Sequence, residues 1–244
     1  MITSKEPSAQ SLAKTVGLFW LLTIVTGMFS FVTGGRLIVE GNAALTVANI
    51  NAHESLYRFS FVANLAATLC YIAVTLFAYV LFKPVNKNVS LLGAFFSLMG
   101  CATGVVSGVL FLAPLNVLTG AAGTFTAGQL QAQTLTLSAT MMQANDVGLV
   151  FFGCHVAIIG YLIRRSIFLP KFLGVLLSVT AICYWTNSLD SFLALPFRNY
   201  LLPFVALGGL GGEGTFTAWL LIKGVDTARW NEQAASATPE TTLP

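Results

Sequence analysis

Charge is what this chain lacks. Only 9% of its 244 residues are Asp, Glu, Lys or Arg, and none of these falls between Lys87 and Asp146. Soluble domains carry about 25% charged residues, so a surface that faces water on every side is excluded. The formal net charge is +3, too small and too dispersed for a nucleic-acid partner. There is no Walker loop, no paired CxxC and no HExxH zinc motif, and no cofactor is expected. The four cysteines, Cys70, Cys101, Cys154 and Cys183, all lie in apolar runs. A structural disulfide between outer loops is therefore not expected.

What the chain has instead is apolar length. Apolar residues make up 56% of it, and about 20 such residues in a row cross a bilayer as a helix. Six stretches qualify: 12–33, 59–82, 89–113, 146–163, 172–189 and 201–222. The first has a basic flank in Lys5 and Lys14, as a signal peptide would, but shows no A-x-A cleavage site and reads as a retained span. With the N-terminus inside, Lys5, Lys14, Lys83, Lys87, Arg164, Arg165, Lys171, Lys223 and Arg229 are cytoplasmic. Only Arg36, Arg58 and Arg198 then lie outside, which is the positive-inside asymmetry. A seventh crossing within 115–143 would move Arg164, Arg165 and Lys171 outside, and Gln129, Gln131, Gln133 and Gln143 are poor lipid-facing material.

The expected fold is all-α, a polytopic membrane bundle of six transmembrane helices with both termini cytoplasmic and the lipid bilayer as its main partner. Residues 1–226 form one domain. The outer loops 41–58 and 129–143 read as amphipathic helices capping the bundle. The tail 227–244, rich in Ala, Thr, Glu and Pro from Asn231 onward, is expected to be disordered.

Two ionisable residues sit inside apolar runs, His155 and Glu213. Such groups are costly at membrane depth and normally need partners. Counting rise from the nearest basic flank puts them roughly 12 Å and 15 Å from the same face, so the two are expected to meet. Three readings are open: an interhelical clasp worth about 1 kcal/mol, a proton-relay or substrate-binding centre, and metal or haem ligation. For the last, Cys154 and His155 with the other cysteines are soft ligands, although adjacent residues point to different faces of a helix. At the outer rim, Arg58, Asp146, Asn187 and Asp190 are vestibule candidates, with Arg58 and Asp146 a possible ion pair. The run Gly208-Gly209-Leu210-Gly211-Gly212-Glu213-Gly214 permits close packing or a local break in a helix.

Several stretches together resemble one family. They are Phe151-Phe152-Gly153-Cys154-His155, Gly160-Tyr161-Leu162-Ile163, Leu169-Pro170-Lys171-Phe172-Leu173-Gly174, Gly35-Arg36-Leu37-Ile38-Val39, Lys83-Pro84-Val85-Asn86, and Glu213 with Trp219-Leu220-Leu221-Ile222-Lys223. The chain resembles, over nearly its whole length, a bacterial integral-membrane family catalogued as domain of unknown function 4386. That resemblance implies a multi-pass protein of the bacterial cytoplasmic membrane and brings no activity with it.

The residues favour a non-enzymatic binding or transport-type bundle, handling a small molecule or protons at His155 and Glu213. An enzyme lacks an evident nucleophile–base set, since Ser107 and Ser178 have no placed partner. The alternative is an accessory subunit or scaffold that meets a homo-oligomer or membrane-complex partner. It expects Gly100, Gly104 and Gly108, spaced at four residues, to form a lipid-facing stripe.

Overall fold

The structure, a computed structural model, describes residues 8–120, 125–194 and 208–237. These fold as helices α1 (Ala9–Thr33), α2 (Ala43–Ala52), α3 (Glu54–Phe82), α4 (Lys87–Gly120), α5 (Ala127–Arg165), α6 (Lys171–Phe192), α7 (Thr215–Ile222) and α8 (Thr227–Ala237). A wide π-helical turn, Leu210–Gly214, leads into α7. Helices α1, α3, α4, α5 and α6 are long and apolar enough to cross a membrane. The chain is thus an all-α polytopic bundle. The sixth expected span, 201–222, begins outside the described residues, and its described part is the π turn with α7.

Helix starts follow local chemistry. The Ser8 hydroxyl accepts from Ser11 N, Asn42 Oδ1 from Leu45 N and Asn86 Oδ1 from Val89 N. Thr126 and Gln129 cap α5 reciprocally. Proline at Pro84 and Pro170 separates α3 from α4 and α5 from α6, where a missing N–H and a fixed φ end one helix before the next begins.

The outer segments differ from expectation. Residues 41–58 are not one helix: α2 stops at Ala52 and α3 begins at Glu54. The stretch 129–143 is not a separate helix either, because α5 runs unbroken for 39 residues. No Gly or Pro interrupts Gln143-Ala144-Asn145-Asp146, so the polar half simply continues the apolar half. With α4 at 34 residues, the α4–α5 hairpin is roughly 50–58 Å long. It overshoots an apolar layer of about 30 Å. The overshoot has its own small core of Leu37, Ile50, Tyr57, Phe111 and Leu115. There the Tyr57 hydroxyl donates to the Phe111 carbonyl and the two rings stack at 4.3 Å.

At the opposite end, the segments expected on the basic face converge. Gln10 Nε2 donates to the Lys223 carbonyl and its Oε1 accepts from Val225 N. The tail was expected to be disordered, yet Thr227–Ala237 is helical and docked. Trp230 Nε1 donates to the Leu81 carbonyl at 2.9 Å, and Gln233 Oε1 accepts from Ile167 N. Hydropathy reading missed this because hydrogen bonds of Trp230, Gln233 and Arg229, rather than an apolar run, hold the helix. Residues 238–244 lie outside the described residues.

Small residues sit where helices meet. A Cβ on Gly174 would lie 2.5 Å from the Gly160 carbonyl oxygen, so α5 and α6 touch backbone to backbone. The expected lipid-facing stripe on α4 is instead turned inward. Gly100 packs on the Phe152 ring, while Gly104 and Gly108 face Thr68 and Asn64 of α3. Side chains such as Val25, Leu69, Phe95 and Val109 face outward and cover the flanks.

Candidate functional site

Glu213 lies in the π turn, 8% exposed. One extra residue per turn rotates all that follows by ~100° relative to an α-helix, and such bulges recur at functional sites. The glycines around it seat the turn tightly on α6: a Cβ on Gly212 would fall 2.0 Å from Thr180 Oγ1, and one on Gly208 2.8 Å from Cys183 Sγ. The Thr180 hydroxyl donates to the Gly208 carbonyl at 2.6 Å. Of the two readings of the glycine run, close packing is realised, while the helix widens into a π turn rather than breaking.

Both carboxyl oxygens of Glu213 are held. Trp20 Nε1 of α1 donates to Oε2 at 2.9 Å, and the Tyr184 hydroxyl of α6 donates to Oε1 at 2.6 Å. Trp20 is fully buried, braced edge-on by Tyr71 and Phe216 at 5.8 and 5.3 Å.

His155 does not meet Glu213. Its Nδ1 lies 2.9 Å from the Gly93 carbonyl of α4. A carbonyl only accepts, so Nδ1 carries the proton and Nε2 is a bare acceptor. Nε2 is buried without a hydrogen-bond partner among the described residues. The Trp20 ring lies 6.2 Å from the imidazole while its N–H is given to Glu213. An indole N–H donates but cannot accept, so no proton passes through it from one group to the other. The expected shared-proton pair is replaced by two separate groups, each in contact with one tryptophan. The imidazole clasps α5 to α4.

Above Glu213 a cavity of about 630 Å³ opens between the helices. Thr23 and Phe31 of α1, Tyr71 of α3, Asp146 and Phe152 of α5, Tyr184 of α6 and Glu213 line it. Ile38, Glu40 and Asn145 lie on its wall toward the end that the basic-residue distribution assigns to the outside. Along α1 alone, from Phe31 down to Thr23, it runs ~12 Å. Glu213 lies at the deep end; His155 is not on the wall.

Of the vestibule candidates, only Asp146 lines this space. Its carboxylate accepts from Asn187 Nδ2 at 3.2 Å and from the Ser191 hydroxyl at 2.5 Å, and Ser188 donates to its backbone carbonyl. It is a buried clamp between α5 and α6. Asn187 serves that clamp, and Asp190 is buried in the last turn of α6. Arg58 pairs not with Asp146 but with Glu54 one turn away at 2.8 Å, half exposed, a contact worth a few tenths of a kcal/mol.

The metal reading of Cys154 and His155 finds no support in the geometry. All four cysteines are free, and among the described residues no three His, Cys, Asp or Glu side chains converge. Ser107 and Ser178 donate to the carbonyls of Met141 and Gly174.

Sequence reading missed Trp20, Tyr71 and Tyr184, the groups that surround Glu213. A signal was present. Trp and Tyr favour the two membrane interfaces, and a tryptophan midway along the first span, like a tyrosine midway along the second, departs from that pattern. Asn64, on the cavity wall, is likewise an amide inside an apolar run.

Similarity to known proteins places the chain without assigning it an activity. A protein of Archaeoglobus fulgidus described as uncharacterized is 28% identical over 153 residues, 63% of this chain and 76% of that protein. That relative is archaeal, so similarity to this chain is not confined to bacteria. No solved structure matches. The family described as domain of unknown function (DUF4386) matches residues 15–224. That span takes in most of α1, the cavity wall, the π turn and α7, and the chain belongs to this family.

Proposed function

We propose that this protein is a non-enzymatic, small-molecule-binding bundle of the transport type, seated in the cytoplasmic membrane, with Glu213 as the anchoring group of its ligand. One observation carries the reading: a cavity of about 630 Å³ ends on a buried carboxyl whose two oxygens are fixed by Trp20 and Tyr184. Ligand pockets are typically 300–1,000 Å³, mostly apolar, with a few placed polar groups, and this cavity has that character. The glycine-rich π turn beneath it is the element best suited to move, since it holds the anchor in a non-α segment. His155 serves the packing of α4 and α5 and not the ligand.

The test is access. In a background with the four cysteines replaced by alanine, Thr23→Cys is treated with a membrane-impermeant thiosulfonate from the outer side. His53→Cys, on an exposed residue between α2 and α3, is the positive control. The reading expects both to react. Reaction at His53→Cys with none at Thr23→Cys means that no water-soluble molecule enters, and the binding reading fails.

A further inference from the structure

We infer that the ligand is an organic monocation, an amine or quaternary ammonium with an apolar body; this rests on the cavity being a binding site. The first argument is charge. The ionisable side chains on the wall are Glu40, Asp146, Glu213, Tyr71 and Tyr184, and among the described residues no Lys, Arg or His joins them. An anionic ligand would meet the carboxyls of Asp146 and Glu213, with amides and hydroxyls but no cation of the described residues to balance it.

The second argument is the state of Glu213. Its two partners are neutral donors, and no cation of the described residues pairs with it. An ionised carboxylate offers about four lone-pair sites, and two hydrogen bonds leave about half of them for a ligand. A carboxylate buried without a counter-charge is strongly disfavoured; a bound cation supplies that charge.

The third argument is the wall beside the carboxyl. Tyr71, Phe152 and Tyr184 line the deep end, with Tyr71 and Phe152 edge to face at 4.8 Å. Aromatic faces attract ammonium groups, more so when water is excluded. Tyr71 is 7% exposed and lines this wall, so its ring meets a bound molecule in a largely water-excluded setting. The same geometry argues against a metal ion. Hard cations require about six oxygen ligands, and no three acidic, His or Cys side chains converge among the described residues. A bare proton would need no aromatic chamber of this size.

The experiment uses charge-matched thiol reagents on Thr23→Cys in the full chain, so it does not depend on a Glu213 variant folding. The cationic trimethylammonium-ethyl, neutral hydroxyethyl and anionic sulfonatoethyl thiosulfonates are compared, each rate divided by its rate at His53→Cys. Fields focused in a cleft shift such rates by 10-fold or more. The expected result is a cation-to-anion ratio of at least about tenfold, with tetraethylammonium slowing the neutral reagent. Glu213→Gln is expected to lower the ratio several-fold while Thr23→Cys still reacts with the neutral reagent, and an unchanged ratio overturns Glu213 as the anchor of the cation. Equal rates, or a preference for the anion, overturn the cation assignment and leave the binding reading standing. No reaction with any of the three overturns the binding reading itself.

Discussion

At the scale of the residue, one tryptophan does what the sequence suggested a histidine would do. Trp20 spends its single donor on Glu213, and its ring lies 6.2 Å from the His155 imidazole. Trp20→Phe keeps most of the ring volume and removes the donor. Leaving a buried acceptor short of a partner costs about 1–3 kcal/mol. A lowered thermal midpoint in detergent is expected, and an unchanged midpoint would show that the bond contributes nothing. His155→Phe removes a clasp to α4 worth about 1 kcal/mol. It should leave the charge selectivity at Thr23→Cys where it was, because the imidazole is off the cavity wall. A lost selectivity would return His155 to the site. Glu213 was legible in the sequence because an ionisable side chain in an apolar run is a local property. Its partners were not. Tyr and Trp count as apolar in any hydropathy sum, and the Trp20 contact is made across 193 positions of chain.

At the scale of the element, apolar length located five spans, but where helices stop was hidden. A lipid-facing run ends when its apolar character ends; a helix ends when a breaker or a cap arrives. In α5 these two points lie far apart, so a polar outer half and an apolar inner half form one helix. In the 227–244 tail the error had the opposite sign, since α8 is held by Trp230 and Gln233 rather than by an apolar face. Trp230→Ala should therefore free α8 without disturbing insertion. Limited trypsin digestion of inside-out vesicles should cut at Arg229 faster than in the parent, and equal rates would mean the docking is not held there. The α5–α6 contact gives a sharper case. Gly174→Ala places a methyl 2.5 Å from a backbone oxygen, which neither helix can yield by a rotamer change. Overpacking of that kind costs about 1–3 kcal/mol. Gly104→Ala, whose Cβ would find its nearest neighbour at 3.8 Å, should be close to neutral in the same melting assay.

At the scale of the whole molecule, the basic segments that charge counting assigned to one side do share one end of the bundle. Gln10 links the start of α1 to the segment after α7, and α8 reaches both the end of α3 and the α5–α6 turn. Fluorescent-protein fusions at either terminus should both glow in cells, and alkaline phosphatase fusions at either terminus should both be inactive. A phosphatase active at one end only would break the even-crossing topology. The Trp20–Glu213 bond also has a consequence for biogenesis. At ~5–20 residues per second of synthesis, roughly 10–40 s separate the moment Trp20 leaves the ribosome from the moment Glu213 does. Throughout that interval the indole N–H has no carboxylate to receive it, and the first helix rests against the third with one flank bare. The chamber floor is thus completed late, with only α7 and the docking of α8 to follow, and a nascent chain arrested before the π turn would hold the helices of the wall without their floor.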